Sequence, residues 1–123
     1  MQRDDLAARL RTALERGDEV AMAGFLNPDA SMVIDTGDHA GESMRGRGPV
    51  ARALRAVVAE HPDAALEVVQ VNNGVGLALR CSDGTVVGVL VIDLDHDGMI
   101  RELWLSAAPG KLAHWNRRSP GGD

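Results

Sequence analysis

Two Asp-Gly pairs, Asp83-Gly84 and Asp97-Gly98, divide the stretch from Asn72 to Trp115 into three apolar, β-rich runs, and this pattern constrains the fold more than any other. Tight hairpins need backbone with positive φ, which glycine adopts without a Cβ clash. Val75 to Arg80, Val86 to Leu94 and Met99 to Ala107 are therefore expected as consecutive antiparallel strands. The meander closes on Pro109 to Trp115, a short segment expected to be helical. A sheet with apolar faces must be covered, and the helical patterns that can cover it lie in the N-terminal part of the chain.

Leu6, Leu10 and Leu14 recur at helical spacing from about Arg3 to Arg16, with Gly17 placed to end the helix. Asp18 is a good N-cap for a second, short helix carrying Val20, Ala23, Phe25 and Leu26 and stopped by Asn27-Pro28-Asp29. Ser31 to Asp35 reads as a short strand leading into a long polar loop, Thr36 to Arg47. Gly48-Pro49 opens a third helix with Val50, Leu54, Val57 and Val58 on its apolar face, and His61-Pro62-Asp63 stops it. Leu66 to Asn72 follows as a strand with apolar residues on both faces, so both faces are expected to be covered. Helix, helix, strand, helix and a run of antiparallel strands is an α+β order. It predicts a strongly curved, mixed or antiparallel sheet in the shape of a cone, with about three N-terminal helices enclosing a cavity. Residues 1–116 are expected as one domain and Arg117 to Asp123 as a disordered tail.

A chain of 123 residues can bury roughly two-thirds of its unfolded surface, so one ordinary core suffices without a metal or disulfide staple. The single cysteine, Cys81, cannot form an intramolecular disulfide, and no secretory signal pattern opens the chain, so a reducing cytoplasm is the expected compartment. No apolar run approaches the ~20 residues that cross a bilayer, so no membrane partner is expected. The net charge of -5 argues against direct nucleic-acid binding, which depends on neutralising phosphates with Lys and Arg. With Phe25, Trp104 and Trp115 as its aromatic residues, the chain also lacks stacking platforms for single strands and has no tyrosine to serve as a phenolic acid.

Three segments resemble the SnoaL-like branch of the nuclear-transport-factor-2-like superfamily: Gly17-Asp18 through Leu26-Asn27-Pro28-Asp29-Ala30, Arg45-Gly46 followed by Val50-Ala51-Arg52, and Asn73-Gly74 through Trp115. Within the third, Asn73 to Arg80, the Asp83-Gly84-Thr85 hairpin and Ile100-Arg101-Glu102-Leu103-Trp104 to Lys111-Leu112-Ala113-His114-Trp115 are similar to the C-terminal domain of extracytoplasmic-function sigma factors. The resemblance implies a cystatin-like α+β cone with an apolar pocket. Two departures matter. The chain starts at its first helix, without sigma regions before it, so it is expected to be an excised domain or a free-standing relative rather than an initiation factor. Asp35-Thr36-Gly37-Asp38-His39 also stands where those sigma factors carry an Asp-Gly-Gly-Gly-Lys-like loop.

Asp35 ends the first strand, where related isomerases place a carboxylate base, and a carboxylate in an apolar cone would have its pKa raised toward the working range of a general base. The plain alternative is a turn former that accepts a backbone N–H. His39 is its expected catalytic companion, and Asp38, His39 and Glu42 together have the side-chain types of an acid/base or metal cluster. Nothing else supplies a ligand at a recognisable spacing, so neither a metal nor a cofactor is expected. Gln70 and Asn72 share a strand face and would offer hydrogen bonds to a ligand, with Met32, Leu90 and Ile92 as apolar lining. His61, His96 and His114 are expected at the surface or as caps, and Trp104 either in the core or at a subunit interface.

These readings lead to a small-molecule-binding or regulatory domain whose ligand is hydrophobic, with sigma-factor regions or RNA polymerase as protein partners if it is regulatory. Two alternatives stand beside it. One is a cofactor-independent cyclase, isomerase or epoxide hydrolase working through Asp35. The other is a dimerisation module, since the outer sheet face looks apolar enough for a second copy to cover it.

Overall fold

A computed structural model describes residues 3–37, 41–71 and 74–116. The element order is α1 (Arg3–Arg16), α2 (Glu19–Gly24), β1 (Leu26–Asp35), β2 (Glu42–Arg45), α3 (Arg47–Ala59), β3 (Ala65–Val71), β4 (Gly74–Arg80), β5 (Val86–Leu94), β6 (Ile100–Ser106) and α4 (Pro109–Asn116). The sheet is mixed, with strand order β2-β1-β6-β5-β4-β3. All neighbours are antiparallel except β1 and β6. The hairpin turns depend on Gly84 and Gly98, at φ +92° and +83°.

Residue parity along the strands divides the structure into layers. Met32, Leu77, Leu90, Ile92, Leu103 and their neighbours face one side and form the main core with Leu6, Leu10 and Leu14 of α1, Met22 of α2 and Val50, Ala51 and Leu54 of α3. The opposite face is covered over β3 to β5 by α4, where Leu112 and Trp115 pack on Val69, Val71, Ala78, Val86 and Val89. Both faces of β3 are thus partly covered, with Leu66 buried toward the main core and Val69 and Val71 against α4. The helix boundaries follow local chemistry. Gly17, at φ +65°, ends α1, and its N–H donates to the Leu14 carbonyl. Asp18 then caps α2 by accepting the Ala21 N–H at 3.1 Å.

Three expectations need correction. The second helix stops at Gly24, and Leu26 through Asp29 belong to β1. Leu26 pairs with Ile100, and the Asn27-Pro28-Asp29 signal becomes a register irregularity between Leu26 and Ser31, where Asn27 Oδ1 accepts the Asp29 N–H at 2.8 Å. Residues 42–45, expected inside a loop, form edge strand β2, held by pairing with Ser31 to Ile34 rather than by their own propensity. Trp104, on the outer face of β6 between Val33 and Val91, remains 42% exposed instead of joining the core.

Candidate functional site

Small residues leave a space on the inner side of the sheet. Ala53 and Ala56 on α3 face Gly88 on β5 and Ala107 after β6, and none of the four extends beyond a methyl group. A β-bulge enlarges the opening: Leu79 pairs with Gly88 and Arg80 with Val86, so Val87 is the extra residue and both Val87 and Gly88 reach the cavity. The resulting cavity is about 250 Å3. Typical small-molecule sites are roughly 300–1,000 Å3, so its occupant would be at the small end of that range.

Its wall is apolar, contributed by Ile34, Met44, Val57, Leu79 and Leu105, and its polar residues are Thr36, Glu42, Glu60 and His61. Glu42 arrives on β2 with the parity of Met44. Glu60 is the C-cap of α3, and its N–H donates to the Ala56 carbonyl, while the His61 N–H donates to that of Val58. The helix stop expected at His61 therefore also delivers two ionisable side chains to the cavity. No ion pair among the described residues engages Glu42 or Glu60.

The expected site residues are distributed differently. Ile34 and Thr36 line the cavity, and Asp35 between them shares the parity of Val33 and does not. Its Oδ1 accepts the Gly37 N–H at 3.0 Å, which is the turn arrangement. Asp38, His39 and Asn72 lie outside the described residues. Gln70 is exposed near the end of β3, away from the cavity. Met32 and Leu90 border a separate apolar gap of about 10 Å3 in the core, and Ile92 is buried in that core. Of the anticipated Asp38, His39 and Glu42 group, Glu42 is thus the member placed on the cavity among the described residues, whereas His61 and Glu60 enter unanticipated. His96 is exposed in the turn after β5, 3.7 Å from Asp97.

Other titratable groups make structural contacts. Asp95 Oδ2 accepts from Asn27 Nδ2 at 2.7 Å and Oδ1 from the N–H groups of Asp97 and Met99. These bonds, that from Asn27 foremost, hold the Asp95 carboxyl below the usual carboxylate range. Partial burial, with Asp63 and Asp83 nearby, pushes the Cys81 thiol up, away from the thiolate a nucleophile requires. Among the described residues no group of three His, Cys, Asp or Glu side chains is placed to hold a metal ion. No described helix is long and apolar enough to cross a membrane.

Three helices over one face of a mixed six-stranded sheet is an arrangement found in solved structures. A protein from Silicibacter pomeroyi described as having a cystatin-like fold superposes with a TM-score of 0.65 at 23% identity, covering 85% of this chain and 74% of that one. The chain has the cystatin-like fold of SnoaL-like proteins. The extracytoplasmic-function sigma factor SigJ of Mycobacterium tuberculosis shares this fold, with a TM-score of 0.68 and 21% identity over 90% of the present chain, which spans only 44% of the sigma factor. SalBIII, described as an epoxide hydrolase/cyclase-like enzyme in pyran ring formation, shares it at a TM-score of 0.63 and 18% identity, covering 88% and 92% of the two chains. No protein-family model and no curated protein matches the sequence. At these identities the cystatin-like likeness establishes the architecture and leaves activity to the site itself.

Proposed function

We propose that this domain binds a small, mainly apolar molecule in the cavity beneath α3 and acts as a ligand-binding or regulatory module, of the kind that the sigma-factor likeness suggests. The observation that carries this reading is the cavity itself: an apolar chamber of about 250 Å3 with its ionisable side chains gathered among Glu42, Glu60 and His61. Apolar walls supply affinity by releasing water, and a few polar groups fix orientation. A thermal-shift screen of lipophilic metabolites tests it. A ligand at a hundred times its Kd stabilises the folded state by about 2.7 kcal/mol. That corresponds to a Tm increase of roughly 8–13 °C for a domain of this size. A regulatory role further predicts capture by sigma-factor regions in a pull-down. An empty screen together with an empty pull-down would remove the basis for the reading.

A second reading, a homodimer, is favoured by Trp104. It is exposed beside Val33 and Val91 on the half of the outer sheet face that α4 leaves uncovered. A tryptophan flanked by β-branched residues is a suitable anchor for an interface. Sedimentation at micromolar concentration that gave a monomer would count against it.

A further inference from the structure

The cavity has an asymmetric charge distribution. Two carboxylates, Glu42 from β2 and Glu60 from the end of α3, stand on its lining, and no Lys or Arg does among the described residues. The ionisable partner beside them is His61, which can contribute at most one positive charge, so the lining carries a net charge of -1 or -2 in either state of the imidazole. The 13-residue helix α3 also ends here, and its carbonyl end adds partial negative charge. The remainder of the lining, apart from the Thr36 hydroxyl, is aliphatic.

We infer that the cavity takes a small organic cation: an ammonium group held at Glu42 and Glu60, on an apolar body that occupies the space between Ala53, Gly88 and Leu105. The inference rests on the reading of the cavity as a binding site and adds the charge of its ligand. An anionic ligand of the same shape would be repelled, and a neutral one would gain only from the wall.

Isothermal titration calorimetry of the full chain with 2-phenylethylamine, 2-phenylethanol and 3-phenylpropanoate at neutral pH and low salt provides the test. The amine should bind about fivefold or more tightly than the alcohol, the margin expected of two solvent-reached carboxylates, and the acid should bind most weakly. Added salt should narrow the margin by screening. A Glu42→Gln, Glu60→Gln double variant, altered only at exposed side chains, should bind the amine no more tightly than the alcohol. Ala53→Leu, which takes up part of the space, should weaken binding of all three. Equal binding of amine and alcohol, tighter binding of the acid, a preference that survives the double variant, or amine affinity undiminished by Ala53→Leu would each overturn the inference. Alcohol bound without any amine preference refutes the cation alone, whereas no binding of any probe also refutes the cavity as a ligand site.

Discussion

Ala53→Leu tests the cavity through the sign of a stability change. Ala53 is half-buried on α3 and looks across the space toward Leu105 and Gly88. Leucine adds three carbons, and at about 0.8 kcal/mol per buried CH2 they are worth at most about 2.4 kcal/mol. The space opens to solvent, so about half of that area stays wet. The gain falls further by a few tenths of a kcal/mol, because leucine forms helix slightly less well than alanine. The net expectation is stabilisation of about 1 kcal/mol. In a domain of this length that raises Tm by roughly 3–5 °C. Where no space exists, the same substitution overpacks the helix–sheet contact and costs about 1–3 kcal/mol. Thermal unfolding followed by circular dichroism separates the two outcomes by direction. A lowered Tm would show that α3 packs on the sheet without such a space.

Gly76→Ala, by contrast, should be strongly destabilising, because a Cβ at that position would lie 2.3 Å from the Leu90 carbonyl oxygen across the β4–β5 ladder, and backbone would have to move. A loss of about 2 kcal/mol or more in guanidinium unfolding is expected, and a change under 0.5 kcal/mol would contradict the packing described. Asp95 has a folded pKa below its unfolded value of about 3.9, so its contribution is fully present above about pH 5 and disappears as pH falls below about 4 through the folded value. Asn27→Ala removes the main cause of that depression and should flatten the acid limb of the stability-versus-pH curve, and an unaltered limb would show that Asn27 is not the source. Asp35→Asn should leave ligand affinity unchanged, since Asp35 is off the cavity lining; a loss of binding in calorimetry would show that it reaches the ligand. Trp104→Lys should yield a monomer at concentrations where the parent chain sediments as a dimer.

The meander was the most legible part of the chain. β5 runs Val86–Leu94 as its pattern predicts, because Asp-Gly turns and β-branched runs are local signals that the tertiary structure had no reason to override. β2 was illegible for the opposite reason. Glu42-Ser43-Met44-Arg45 has no strand propensity worth naming, and its conformation comes from the partner strand β1. Asn27-Pro28-Asp29 reads as a terminator in sequence, although a proline can sit in an irregular stretch where the ladder is interrupted. Met32 and Ile34 point inward, so strict alternation already placed Asp35 on the other face. His61 and Glu60 carried no sequence signal as site residues, since a helix-stopping His-Pro-Asp looks the same over solvent as over a cavity. The cavity itself arises from four small residues far apart in sequence, Ala53, Ala56, Gly88 and Ala107, brought together only by the packing of α3 on the sheet.

We propose that this domain receives its ligand in the space beneath α3. A two-dimensional amide NMR titration of the full chain with 2-phenylethylamine locates binding residue by residue. Saturable shifts confined to the lining, at Ala53, Ala56, Leu79, Gly88 and Leu105, are expected, and they should saturate only at higher ligand concentration in Ala53→Leu. Shifts that cluster instead around Asp35 and Gln70, or no saturable shift at the lining, would contradict the proposal.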